Sequence, residues 1–336
     1  MNELNSHPFD RLTPDLLIDA VESQGFICDG RFLALNSYEN RVYQIGIEAQ
    51  TPMIAKFYRP ERWSDDQIFE EHQFCFQLQE QELPVVCPWI NAEGVSISHY
   101  QGFRFALYER KGGHAPELDN LDNLFILGRV LGRFHGVGAS QPFIHRPMLN
   151  ASNFGWESYE LISQKFMPRE LSLAYDSLAI DVLNTVDQIL GDYGSINNIR
   201  VHGDCHSGNI LWRDDYPHFV DFDDARMAPA IQDLWMLLSG DRHEQTNQMA
   251  ELIEGYNEFY SFDYRELRLI EVFRTLRIMH HSAWIARRWS DPAFPRAFSW
   301  FDSTRYWSDH ILSLREQLAA LNEPPIEVGL GVRMYS

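Results

Sequence analysis

"VHGDCHSGNILW", residues 201–212, sets two histidines, an aspartate, a cysteine, a serine and an asparagine between apolar residues. Its apolar ends have the character of short strands, so the polar residues fall on the loop between them. Asp204 opens that loop and Asn209 closes it five residues later. "HFVDF", residues 218–222, is a further apolar strand that delivers Asp221 at its end, where burial is expected for the carboxylate.

The surrounding chain supplies a context for this loop. At 336 residues it exceeds what one hydrophobic core usually organises, which predicts two lobes with room for a cleft between them. Thr13 as N-cap with Pro14 at the first helical position starts a helix that ends near Gly25. "RFLAL", "RVYQIGI" and "PMIAKFY" then read as an antiparallel meander, and Ser64 with Gln67 forms a capping box ahead of a second helix. "VSISHY" and "FRFALYE" make a hairpin through Gln101 and Gly102, after which "RKGGHAPE" breaks the pattern. Beyond it, residues 123–137, 177–192, 229–259, 264–289 and 303–321 carry helical spacing, and the tail after Leu321 has few signals of packing. The expected fold is therefore α+β: a β-rich first lobe over residues 1–108, a connection at 109–113 and a larger α-rich lobe over 114–336.

A formal net charge of −20 argues against nucleic acid and anionic lipid as partners. Cys28, Cys75, Cys87 and Cys205 form no CxxC pair, which fits free thiols in a reducing compartment. With no signal-peptide pattern and no long apolar span, a soluble, cytoplasmic and monomeric protein is expected.

Phosphoryl transfer needs a carboxylate near the accepting hydroxyl, oxygen ligands for magnesium, and a cation on the nucleotide phosphates. Asp204 and Asn209 have the spacing of the base and metal-binding Asn of a kinase catalytic loop. Asp221 stands where a DFG-type aspartate would meet a metal, although Asp223 replaces the glycine. "MIAK" ends in Lys56 as a kinase β3 strand ends in its lysine. Of the adjacent Glu70 and Glu71, only Glu71 shares a helix face with Ile68, Phe74, Cys75 and Leu78, so it points inward as the partner of Lys56. "LNSYENRVY" lacks a GxGxxG pattern, but Asn36, Ser37 and Asn40 tolerate turn geometry and are placed to approach phosphates.

These motifs resemble the aminoglycoside phosphotransferase and choline kinase branch of the protein-kinase-like fold. "LNSYENRVYQ", "AKFYRPERW", "EEHQF", "HGDCHSGNILW", "VDFDDARMAPAIQDLWMLL" and "RRWSDPAFP" are more closely similar to the bacterial stress response kinase A (YihE/RdoA) family, across residues 30–300. The resemblance implies a two-lobed, magnesium-dependent, ATP-using Ser/Thr protein kinase that autophosphorylates and serves a stress response. It implies Asp204 as proton acceptor, Asn209 and Asp221 as magnesium ligands, Lys56 and Ser37 as nucleotide contacts, and backbone near Leu107 to Glu109 against adenine. Gly203 stands in place of the HRD arginine, and the short run from Asp221 to Asp233 leaves little room for a phosphorylated activation loop. Asp233 is expected to accept backbone hydrogen bonds from the catalytic loop.

Plainer readings stand beside these. His202, Asp204, Cys205 and His206 lack the second ligand cluster that a structural zinc needs; His202 is read as a loop brace and Cys205 as a packed residue. The aromatic run at 284–307 is either core or a cation box, with Arg287 and Arg288 opposing a cationic ligand. A small-molecule hydroxyl kinase is the alternative function. An ATP-binding pseudokinase is opposed by the intact Lys56, Asp204, Asn209 and Asp221.

Overall fold

The computed structural model of the protein describes residues 7–329. In chain order its elements begin with α1 (Pro14–Glu22), β1 (Cys28–Ala34), β2 (Arg41–Ile47), β3 (Met53–Phe57), α2 (Asp65–Glu80), β4 (Ser98–Tyr100) and β5 (Phe103–Glu109). They continue with α3 (Leu121–Gly138), α4 (Glu157–Lys165), α5 (Arg169–Tyr193), β6 (Ile199–Val201), β7 (Ile210–Arg213), β8 (Tyr216–Phe219) and β9 (Arg226–Ala228). The last are α6 (Ile231–Leu234), α7 (Arg242–Tyr256), α8 (Ile270–Arg287), α9 (Ala293–Ala297) and α10 (Thr304–Leu321). Two compact units result. The first takes the chain up to Pro116 with Phe143–Arg146 and Ser207–Ala225; the second takes Glu117–Pro142, Pro147–His206 and the chain from Arg226.

The first unit is built on an antiparallel sheet in the order β1-β2-β3-β5-β4. Side chains alternate across a strand, so Met53, Ala55 and Phe57 face the core made with Leu17, Ala20 and Val21 of α1. Lys56 falls on the other face, opposite Ala106 in the register. That face belongs to a second cluster, in which Ala106 and Tyr58 meet Ile68 of α2. Thr13 caps α1 through the Leu16 N–H, and Ser64 and Gln67 form the reciprocal capping box of α2. Gln101 and Gly102 turn the β4–β5 hairpin with φ of 45° and 88°, the left-handed pair that a tight two-residue turn requires.

A second hairpin, β7–β8, pairs Ile210 with Phe219 and Arg213 with Tyr216. Phe219 anchors it: its N–H donates to the Pro84 carbonyl at 2.7 Å and its own carbonyl accepts the Val86 N–H at 3.0 Å. At the open end Val220 N–H donates to the Asn209 carbonyl at 3.0 Å. The strand register thereby brings Asn209 beside the segment that leads into Asp221.

The second unit is mainly helical, with β6 and β9 as a short antiparallel pair. Residues 229–259 do not form the continuous helix that their periodicity suggests. After α6 and a 3-10 turn at Trp235–Leu237, Gly240 takes φ 79°, and Asp241 with Glu244 caps α7 afresh. The helix expected at 177–192 starts earlier, at Arg169. Past Leu321 no further element forms among the described residues, although Ile326 is buried. The aromatic run is partly core: Phe294, Phe301 and Trp307 are fully buried in edge-on ring contacts while Trp300 is exposed, and Arg288 braces the run by donating to the Trp284 carbonyl at 3.0 Å.

α3 and α7 pack backbone to backbone. A methyl group on Gly128 would overlap the Leu252 carbonyl oxygen, and one on Gly132 that of Tyr256. Gly→Ala inside a helix normally stabilises by up to about 1 kcal/mol, but at Gly128 the clash reverses the sign. Gly128→Ala is expected to lower stability by about 1–3 kcal/mol; an unchanged or raised urea midpoint would contradict this close approach.

Candidate active site

In the first unit four charged side chains converge beneath the sheet. Lys56 is 5% exposed, with its Nζ 2.9 Å from Asp221 Oδ1, 3.2 Å from Asp223 Oδ1 and 3.8 Å from Glu71 Oε1. Burial alone would push the ammonium's pKa down, but Asp221, Asp223 and Glu71 together hold it well above the ordinary lysine value. Lys56 is therefore a cation at every physiological pH. Asp221 departs from the burial expected of it: its side chain is 53% exposed, on a residue with φ 59° that starts the turn Phe222–Asp224. The buried carboxylate is instead Asp223, at 3% exposure, held between Lys56 and Arg62, while Arg62 also meets Asp224 at 3.0 Å. The residue at the DFG glycine position is thus a buried counter-ion to two cations. The reason is electrostatic, since two buried cations need a compensating charge.

Glu71 faces inward as its helix periodicity requires, but Lys56 is not its nearest partner. Arg146 Nη2 lies 2.7 Å from Glu71 Oε2, with both side chains buried. Other nitrogens of the same guanidinium donate to the carbonyls of Gln67 (2.7 Å), Asp223 (3.0 Å) and Ala225 (2.7 Å). Glu70, pointing the other way, accepts the backbone N–H groups of Ile144, His145 and Arg146 at 2.6–2.9 Å. Both glutamates of "EEHQF" thus hold the same segment, one through its backbone and one through its side chain. Arg146 escaped sequence reasoning because "FIHRPML" has neither periodicity nor a motif.

The remaining residues of this unit are distributed as follows. Asn36 is exposed and Ser37 half-buried, so both stay open to a ligand. Asn40 is buried, and its amide oxygen accepts the Arg59 N–H at 3.0 Å, so it braces the loop rather than offering a donor outward. Arg59 completes that brace by donating to the Glu39 carbonyl at 2.9 Å. Leu107 is buried and its carbonyl accepts the Trp89 N–H at 2.6 Å. Glu109, at the end of β5, is exposed.

Asp204 belongs to the second unit, on a loop held from beneath by Asp233. The Asp233 carboxylate is fully buried and accepts the N–H of His202 at 2.8 Å and of Gly203 at 2.9 Å. His135 Nε2 meets the same carboxylate at 3.1 Å, while its Nδ1 faces the Tyr256 hydroxyl at 3.0 Å. This is the backbone-accepting role expected for Asp233. Gly203 stands at φ 82°, a left-handed conformation that a side chain in the HRD arginine's place would strain. His202 is buried and its Nδ1 faces the Asp204 N–H at 3.3 Å, a loop brace; Cys205 is packed, and burial pushes its thiol well up. The Asp204 carboxylate lies 2.7 Å from Arg277 Nη2 and 3.5 Å from His206 Nε2. Burial works against its charge, but His206 and Arg277 prevail and hold its pKa well below the usual carboxylate range. Asp204 is ionised at neutral pH, as a proton acceptor must be.

The profile of the phosphotransferase enzyme family matches residues 31–270. Stress response kinase A of Escherichia coli O157:H7 is 44% identical over 95% of this chain and 97% of its own. Serine/threonine protein kinase RdoA of Salmonella typhimurium is 42% identical over 98% of this chain and 99% of its own. Amicoumacin kinase in complex with AMP-PNP superposes with a TM-score of 0.71 at 19% identity, covering 93% of this chain and 95% of that one. A microcompartment-associated aminopropanol kinase gives 0.70 at 16%, covering 91% and 98%. The fold is that of a kinase-like phosphotransferase, with a small antiparallel-sheet lobe and a mostly helical one. The chain belongs to the phosphotransferase enzyme family and, within it, to the stress response kinase A group.

Arg146→Met should strand the Glu71 carboxylate and cost about 3–5 kcal/mol, much of which Arg146→Met with Glu71→Gln should return. Additive losses in a urea-unfolding double-mutant cycle would deny the pairing. A second prediction concerns Glu266, whose Oε2 accepts the Ile231 N–H at 2.9 Å and so caps the helix that carries Asp233. Burial pushes its pKa from 4.5 to about 7, against that hydrogen bond. The folded protein keeps a proton that the unfolded chain has released, so this contribution is full below pH 4.5 and is lost as pH rises through about 7. Glu266→Gln keeps the acceptor and cannot ionise, so its stability should fall less than the parent's across that window. Parallel pH profiles would refute the assignment.

Proposed function

We propose that the chain transfers the γ-phosphoryl group of ATP to a Ser or Thr hydroxyl of a protein, itself included, as a magnesium-dependent cytoplasmic kinase of a bacterial stress response. The observation that carries the reading is the convergence at Asp221. A half-exposed carboxylate stands 2.9 Å from a permanent ammonium, beside a hairpin end that also holds Asn209. Carboxylate and amide oxygens are the hard donors that magnesium takes, so Asn209 and Asp221 fit that ion. Bound there with nucleotide, magnesium would neutralise charge on the phosphates.

In this reading Lys56 holds the phosphates from the sheet side, and Glu71, Asp223 and Arg146 fix it in place. Asn36 and Ser37 cover them. Asp204, its loop held by Asp233, orients the acceptor hydroxyl and takes its proton. The nucleotide-covering lobe is read as residues 1–108, the connection as 109–113 and the acceptor-binding lobe as 114–336, although residues 143–146 and 207–225, Asn209 and Asp221 among them, cluster with the first unit. Protein rather than small-molecule acceptors are favoured because relatives at 42–44% identity are named stress response kinase A and Ser/Thr protein kinase.

Asp204→Asn should keep nucleotide affinity and lose roughly a hundred- to ten-thousand-fold in turnover, the usual cost of a missing general base. The check is radiolabelled ATP with the purified protein and a generic protein substrate. Near-normal turnover by the variant would remove Asp204 from the role. Label appearing only in added amino sugars or choline would move the acceptor to the small-molecule class.

A further inference from the structure

The second unit contains a cavity of about 460 Å³ between α8 and α10, whose wall includes Arg274, Arg277, His281, Tyr306, Asp309 and His310. Arg277 is the wall residue that reaches Asp204, at 2.7 Å. The titratable groups around the cavity can be sorted by charge. His310 is buried with its pKa pushed down to about 4, and His281 is pushed down by burial and by Arg277, so both imidazoles are neutral at pH 7. Glu271 is engaged by Arg274 at 3.3 Å, and Asp309, two-thirds exposed, lies 3.8 Å from Arg305. With Arg274 taken by Glu271 and by the Gln245 amide, what the wall offers an anion is the guanidinium of Arg277, which touches the carboxylate proposed as base; Asp309 is the carboxylate on the same wall.

A cationic acceptor beside Asp204 would meet Arg277 with like charge. An anionic one gains a partner, because a guanidinium has five N–H donors and a single contact with Asp204 does not exhaust them. We propose that Arg277 determines acceptor specificity: it holds an anionic group beside the accepting hydroxyl, so the preferred acceptor is a Ser or Thr flanked by an acidic side chain. The inference rests on the reading of Asp204 as proton acceptor. The contact at 2.7 Å places the bound anionic group within reach of the hydroxyl that Asp204 accepts from.

The test compares three peptides that carry one Ser flanked by Glu, Gln or Lys, with the parent protein, Arg277→Gln and Arg277→Lys, after thermal melts confirm that the variants fold. The parent is expected to favour the Glu peptide over the Lys peptide by about tenfold or more in kcat/KM, the worth of one charge-assisted contact. Arg277→Gln should erase the preference chiefly through KM, and Arg277→Lys should keep part of it. No preference in the parent, or a preference for Lys, overturns the proposal. So does an Arg277→Gln variant that loses kcat equally on all three peptides with the preference intact, which would leave Arg277 as a positioning residue for Asp204. Fluorescence anisotropy of the same peptides without nucleotide separates the two readings. Glu-selective binding that depends on Arg277 supports the specificity claim even if no label reaches any protein, the result that would sink the kinase reading alone.

Discussion

The guanidinium of Arg146 ties together the first unit's charged centre. It binds the Glu71 carboxylate of α2, the Gln67 carbonyl one turn earlier, and the carbonyls of Asp223 and Ala225 on the turn that follows Asp221. A planar fork with five donors can hold a helix and a turn at once, which a lysine's point charge does with far less geometric definition. Because α2 also carries Glu70, whose carboxylate takes three consecutive backbone N–H groups of residues 144–146, the arginine cannot drift without dragging its own backbone anchor.

Around that fork the charges alternate. Lys56 sits among three carboxylates, and Arg62 among Asp223, Asp224 and Glu39. In a dry site an unpaired cation would be costly, and each is instead compensated by carboxylates that other cations share. Asp223, in the place where protein kinases have a glycine, belongs to this balance. The turn therefore gives up a flexible hinge and gains a fixed counter-ion.

The Asp204 loop is fixed by a different device. Asp233 takes two adjacent backbone N–H groups at once, His135 stands behind Asp233, and Gln232 donates to the Gly203 carbonyl at 3.1 Å. Backbone held in this way leaves the Asp204 side chain as the adjustable member, and its partner is Arg277 on α8.

Much of this was legible in the residues. "MIAK" put Lys56 at the end of the third strand, helical spacing turned Glu71 inward, and Ser64 with Gln67 marked the start of α2. The five-residue step from Asp204 to Asn209, followed by "VDF" and "DLW", pointed to the fold family. These are local signals, because strand and helix periods and caps are set within a few residues of the chain. Only the tertiary structure decided that Glu71 pairs most closely with Arg146, 75 positions away, that Asp223 rather than Asp221 is the buried carboxylate, that Asn40 braces its loop, and that Arg277 reaches Asp204. Charge pairs between distant segments follow no period. Which partner a buried charge takes depends on which donors folding brings within about 3 Å of it, where desolvation makes every unpaired choice costly.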